Sequence, residues 1–427
     1  MKYYWLFLLL LCSQMAMGQL SYDQHFTQDA LRLDFLLAGG ADKEEIYLQQ
    51  LKKEEPWAGP KTRLITPFEY GNYAVKAFSQ NGNLIYFRGF STLFEEWVTT
   101  EMAKSAKKAF QHSIRIPFPK EKLTIKIQKR DYETGNFITI LESKIDPEDY
   151  FINEENPPEV SYRTIQNNGN PSSQVDIAFL SEGYTKAEMD MFIKDVKDIT
   201  NYIFTQQPFS EYQKEFNIYA VKSISQETGS DVPGKKEYKN TILNSSFYTF
   251  DSPRYLTSTE TWKIRDIASV VPYDHIIILT NSFKYGGGGF YNHFSLSSAN
   301  HQLSERVLIH EFGHGFAGLG DEYYTSDVAY SDFYNLDVEP WEPNITTRTN
   351  FESKWKDMIS ETTPVPTPRV KKHANTVGLF EGGGYLAEGI YSPYMDCRMK
   401  SNMADGFCPV CQKAIERMIL YYAGELE

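Results

Sequence analysis

Cysteine is scarce in this chain: there are four among 427 residues, and Cys12 stands within the first eighteen. That scarcity excludes a disulfide-dense scaffold. Basic charge is in deficit too, with 43 Lys and Arg against 56 Asp and Glu. The acidic excess repels phosphate backbones and anionic lipid, so nucleic acid is not expected as a partner. After the N-terminus no apolar run approaches the roughly 20 residues that cross a bilayer, and no transmembrane segment is expected. Internal repeats and low-complexity tracts are also missing. Aromatic residues, by contrast, are plentiful: 28 Phe and 29 Tyr supply enough apolar surface for packed cores and exclude wholesale disorder. At roughly 100 to 200 residues per domain, the length implies two or three domains.

Residues 1–18 read as a cleaved secretory leader. Lys2 gives the positive start, Trp5 to Leu11 the short apolar run, and Ala16-Met17-Gly18 a small-x-small cleavage site. A membrane anchor would need about twice that apolar length. Lipid attachment at Cys12 is disfavoured by the bulky Leu11 before it. The mature protein is therefore expected to be exported to the periplasm, cell surface or medium.

Residues 19–155 alternate as β structure does. Leu31, Leu33 and Phe35 mark one strand; Tyr73 to Phe78, the Asn81-Gly82 turn and Leu84 to Phe87 form a hairpin; Leu123, Ile125 and Ile127 mark another strand, and Phe137 to Leu141 follows a turn at Glu133 to Asn136. Strands at this spacing predict a β-sandwich, interrupted by one helix over about Leu93 to Phe110. Residues 156–173, rich in Asn, Pro, Gly and Ser, read as a linker. From 174 to 427 strands alternate with helices: Val175 to Leu180, Phe216 to Val221 and Asp274 to Leu279 are buried strands, and Thr185 to Phe204 is a helix whose Thr185 and Glu188 make a capping box. The expected fold class is α+β, a β-sandwich followed by an α/β domain.

The chemistry centres on Val307 to Tyr323. On a helix, His310 and His314 lie four apart on one face and aim at one Zn²⁺, with Glu311 beside the open position. Such a pattern arises by chance in about one chain in a hundred of this length. Here an apolar Val307-Leu308-Ile309 run precedes it and glycines follow, as a real helix end requires. The third ligand sets the subclass. Glu339 stands at the distance of a following-helix ligand, but Glu339-Pro340-Trp341-Glu342-Pro343 is poor helix sequence. Metzincins instead turn at a glycine to a nearby third ligand. In this chain Gly318 supplies the turn one residue late and Asp321 takes the ligand place, with Glu322 its adjacent rival.

Metzincins also carry a methionine beneath the metal. Met395 and Met399 both qualify, and Met399 is preferred because a disulfide from Cys397 to Cys408 or Cys411 would pin the turn there. For those thiols one disulfide plus one free thiol is favoured; a structural zinc lacks a fourth ligand, since no His falls inside the cluster. Tyr391 or Tyr394 is a candidate oxyanion donor if the turn brings it near. Gly286 to Gly289 reads equally as a strand edge beside the cleft or as a loop. His275, His293, His301 and His373 lack ligand spacing and read as structural or surface residues. Asp327, Asp332, Asp337 and Glu339 offer calcium only weakly, having no regular spacing.

The segment His310 to Tyr323, with Ser225 to Pro233, Tyr285 to Phe290, Gly378 to Gly382, Cys397-Arg398-Met399 and Phe407 to Cys411, resembles the IgA-peptidase-type zinc metallopeptidases over most of residues 174–420. The N-terminal β region resembles the accessory domain that precedes the peptidase in bacterial members. This resemblance implies a metzincin-like zinc endopeptidase with one catalytic ion, a protein or peptide substrate, and a founding activity on immunoglobulin A. Specificity does not travel with zinc ligands. An exported hydrolase of mucin-like glycoproteins and a surface binding protein with a vestigial zinc site are the rival readings. The intact Glu311 speaks against the second, because a binder needs no base.

Overall fold

The computed structural model describes residues 20–324 and 333–426; the segment read as a leader, Cys12 included, lies outside the described residues. The N-terminal part runs α1 (Tyr22–His25), β1 (Phe26–Gly39), β2 (Glu44–Glu54), β3 (Tyr73–Ser79), β4 (Leu84–Phe90), α2 (Leu93–Trp97), β5 (Lys108–Pro119), β6 (Leu123–Arg130) and β7 (Phe137–Ile145). These strands make two antiparallel sheets, ordered β2-β1-β5 and β4-β3-β6-β7. Alternation explains them: Leu31, Leu33 and Phe35 of one sheet and Val75, Ala77, Ile125 and Ile127 of the other share a single buried cluster.

The helix expected over Leu93 to Phe110 is much shorter. A capping box between Thr92 and Glu95 starts α2, which ends at Trp97. The chain then makes a 3₁₀ turn at Glu101–Lys104 and enters β5 at Lys108. The apolar Leu93, Phe94, Trp97 and Val98 fit a helical period, but Phe110, Ile114, Ile116 and Phe118 fit a period of two, and pairing with β1 decides the conformation.

The second part contains β8 (Tyr162–Gln166), β9 (Val175–Glu182), α3 (Met189–Ile203), β10 (Phe216–Val221), α4 (Thr261–Ala268), β11 (His275–Thr280), β12 (Gly287–Phe290), β13 (Phe294–Ser298), α5 (Ser304–Ala317), β14 (Phe380–Gly383), β15 (Leu386–Ser392) and α6 (Pro409–Ala423). Six of its strands form one sheet, ordered β12-β13-β11-β9-β10-β8, parallel except at the two edges, and β14-β15 is a separate hairpin. The edge strand β8 falls inside the stretch expected to be a linker, because backbone pairing with β10 orders it despite its polar sequence. In all, the described residues form a mixed α/β structure with four sheets.

Successive residues of the central strands serve opposite cores. Ile177, Phe179, Ile277 and Leu279 face α3, α5 and α6. Ala178, Leu180, Ile276 and Ile278 face α4 and the N-terminal sheets. Burial on both faces is why these strands read as continuous apolar runs. Among the described residues no helix is long and apolar enough to cross a membrane.

Candidate active site

Helix α5 carries His310, Glu311 and His314. Its Val307, Leu308, Ile309, Phe312 and Phe316 are buried, which fixes the rotation of the helix and leaves the two histidines 14% and 17% exposed on one side. The helix stops at Gly318, whose φ of +66° suits glycine. The N–H of Gly318 bonds to His314 O and that of Leu319 to Gly313 O, so the chain doubles back across the last turn. Asn344 then clamps the returning segment, accepting from Gly320 N at 2.7 Å and donating to Gly320 O at 2.9 Å.

That return delivers Asp321 to the histidines. His310 Nε2 lies 3.0 Å from His314 Nε2, and Asp321 Oδ1 lies 3.2 and 3.3 Å from them. The opposite ring nitrogens are occupied: His310 Nδ1 is 3.0 Å from Arg398 O and His314 Nδ1 is 2.5 Å from Leu319 O. Carbonyls only accept, so both Nδ1 atoms donate and both Nε2 lone pairs turn toward Asp321. Asp321 Oδ1 is then a buried acceptor with no hydrogen-bond donor. Three converging acceptors require a cation between them. With no ion between them the groups favour a proton: burial opposes charge on His314, yet Asp321 raises its pKa to about 9, and the histidines hold the Asp321 carboxyl far below its usual range against the opposing effect of burial, so the site attracts positive charge. A tetrahedral zinc with bonds of about 2.0 to 2.2 Å places its ligand atoms roughly 3.3 to 3.5 Å apart, close to the separations seen. His310, His314 and Asp321 accordingly fit a metal ion.

Glu311 sits beside them on a cleft of about 340 Å³. Burial pushes its carboxyl upward, against the pull of His310 and His314. Of the Gly286 to Gly289 run, Gly287 to Gly289 line the cleft beside Glu311 and lie in edge strand β12, antiparallel to β13. A Cβ on Gly287 would stand 2.9 Å from Glu311 Oε1, and one on Gly289 would stand 2.4 Å from Glu311 O. The glycines thus allow the strand to pass directly under the helix turn that bears Glu311. The N-terminal part also lines the cleft, through Ser91, Glu95 and Glu96.

Other expected residues fall variously. Met399 is buried against α5, its Sδ 2.9 Å from where a Cβ of Gly313 would stand, and its carbonyl accepts from Glu322 N at 2.9 Å. Glu322 points away from the histidines toward the cysteines. The expected disulfide is absent: Cys397, Cys408 and Cys411 are free and buried, with 3.7 Å between Cys397 Sγ and Cys411 Sγ. Tyr391 and Tyr394 do not line the cleft, contrary to their expected role as oxyanion donors. Hairpin pairing turns the Tyr391 hydroxyl toward Glu381, and Tyr394 packs on the helical core. His275 and His293 are buried against Ser295 and Arg265, and His301 and His373 are also outside the cleft. Asp327 and Asp332 lie outside the described residues; Glu339 accepts from Thr349 and from Asn350 N, and among the described residues it joins no carboxylate cluster with Asp337.

The structure adds tyrosines that residue spacing does not single out. Tyr385, in the tight β14-β15 turn with φ +69°, donates to Asp321 Oδ2 at 2.7 Å. Tyr323 stacks on His310, and the Tyr285 hydroxyl accepts from Asn402 Nδ2 at 2.7 Å. Their only sequence signals are the Gly382-Gly383-Gly384 run before Tyr385 and the nearness of the other two to Asp321 and Gly286.

Comparison with known families gives two matches. The family described as IgA Peptidase M64 matches residues 164–376 and 369–419, and that described as Peptidase M64 N-terminus matches residues 21–141. No individual curated protein matches the chain.

Proposed function

The chain belongs to the IgA peptidase M64 family and is a peptidase with protein or peptide substrates, and from that premise we propose that it is a zinc endopeptidase working at His310, Glu311, His314 and Asp321. One observation carries this reading: three acceptor atoms converge within 3.3 Å while both distal histidine nitrogens are tied to carbonyls. The two Nε2 atoms and Asp321 Oδ1 would hold the ion, and Tyr385 fixes the carboxylate's orientation. Bound zinc supplies Lewis acidity, lowering the pKa of water toward about 7 and polarising a peptide carbonyl.

Glu311 takes the proton of the attacking water as oxygen adds to the carbonyl carbon, then delivers it to the amine as the C–N bond breaks. Its raised pKa suits a group that must both accept and return a proton. Tyr285, held at its oxygen by Asn402, is oriented to donate to the oxyanion, the role expected of Tyr391 or Tyr394. We read the two N-terminal antiparallel sheets as a sandwich and the α5 to Asp321 return as a metzincin-like variant. Residues 1–18 support export, so the substrate class is an extracellular protein, immunoglobulin among them.

A peptide-library digest read by mass spectrometry tests this. The expected result is cleavage at internal bonds, lost on chelation and restored by zinc. A library left intact by zinc-loaded protein contradicts the proposal.

A further inference from the structure

The three cysteines and Glu322 form a second group of potential ligands, all with donor atoms within 4.8 Å of one another and all buried. They come from three places. Cys397 lies in the turn after β15, Cys408 is the N-cap of α6 and Cys411 stands in its first turn, while Glu322 follows Asp321 on the segment returning from α5. Cys411 Sγ is 3.2 Å from Glu322 Oε1. The other carboxylate oxygen, Glu322 Oε2, is buried with no hydrogen-bond partner, on a residue 0% exposed.

Neither of the metal-free alternatives suits this arrangement. Three packed thiols would leave a buried carboxylate oxygen without a donor, a costly state. A disulfide between any two would remove thiol donors and still leave Glu322 Oε2 without one. By contrast, zinc–sulfur bonds of about 2.3 Å in a tetrahedron place sulfurs roughly 3.8 Å apart. Cys397 Sγ and Cys411 Sγ are 3.7 Å apart. The surroundings favour anionic ligands as well. The N-terminus of α6 presents its positive end to Cys408 and Cys411, the N–H of Cys408 reaches Cys397 Sγ at 3.2 Å, and Asn344 Nδ2 donates to Glu322 Oε1 at 2.9 Å.

We propose that Glu322, Cys397, Cys408 and Cys411 bind a second, structural zinc ion, separate from the one at the histidines. Three thiolates and one carboxylate close a four-coordinate shell with no open position, the pattern of a structural rather than a catalytic site. Its position gives it a purpose. Asp321 serves one site and Glu322 the other, and Arg398, which presents its carbonyl to His310, follows Cys397 directly. The second ion therefore braces the backbone on both sides of the first.

Metal content and a cobalt spectrum of the full chain test this independently of peptidase activity. Wild-type protein produced with zinc should hold two equivalents, and the His310→Ala/His314→Ala variant should keep one. Reconstituted with Co²⁺, that variant should show intense thiolate-to-cobalt absorption in the near ultraviolet, and adding Cys408→Ser/Cys411→Ser should remove it. If the cysteine variant does not fold, the histidine variant alone decides. A histidine variant without metal and without the thiolate band, or an intact mass showing two thiols lost to a disulfide, overturns the proposal.

Discussion

Tyr385 illustrates how much of the site rests on single atoms away from the ligands. Its hydroxyl is a donor to Asp321 Oδ2, and it holds the carboxylate so that Oδ1 faces the histidines. Tyr385→Phe should therefore weaken zinc binding at that site by about 10- to 100-fold, measured by competition with a chromogenic chelator, while leaving the fold intact. At this scale the sequence was most legible for His310, Glu311 and His314, whose spacing is a property of any helix. Asp321 was legible through the glycine turn. The tyrosines were not, because Tyr285, Tyr323 and Tyr385 meet only through the tertiary path of three separate segments. Glu322 was visible as a rival to Asp321, but adjacent residues in an extended chain point in opposite directions, so Asp321 faces the histidines and Glu322 the cysteines.

Elements show why the polypeptide tolerates this arrangement. Strand β12 approaches α5 so closely that Gly289→Ala should destabilise the protein by about 1 to 3 kcal/mol through overpacking against Glu311 O, seen as a lower unfolding midpoint in urea. At the other end of the sheet, β9, β10 and β11 are tied by Asp176, Asn217 and Asp274: Asn217 donates to Asp176 Oδ1 at 3.0 Å and Asp176 N to Asp274 Oδ2 at 3.0 Å. Burial lifts the Asp176 carboxyl to about 7 and pushes its neighbour Asp274 upward as well. Because these acids bind protons more tightly folded than unfolded, their contribution to stability is full below about pH 4 and is lost as pH rises through 7. Asp176→Asn should flatten the dependence of Tm on pH across that window. Strands β1, β3, β4, β6, β7, β9, β10 and β11 were legible from alternation or from an unbroken apolar run, whereas β2, β5 and β13 were not. Strand β8 was not, since its polar residues carry no pattern and only the exposed edge of β10 recruits it.

Across the whole molecule, the N-terminal sheets and the peptidase part share a buried cluster and a charged one. Arg32, 1% exposed, pairs with Asp34 at 2.6 Å, Glu54 at 2.8 Å and Asp266 of α4 at 2.8 Å. Arg32→Ala would leave buried Asp34 without a cation and Glu54 with Arg115 alone, and should cost about 3 to 5 kcal/mol, with both parts still unfolding in one transition by calorimetry. The change of texture along the chain separated the antiparallel N-terminal sheets from the mixed sheet that follows. The contacts between these sheets were not legible, because Arg32, Ser91 and Trp262 carry no pattern that pairs them with Asp266, Tyr291 and His112. The most direct test of the central claim compares wild type with Glu311→Gln at equal zinc content, following internal cleavage of denatured protein by mass spectrometry. The account predicts cleavage by wild type and a rate at least about 10²-fold lower in the variant. Equal rates, or a zinc-loaded wild type inert toward every protein offered, would contradict it.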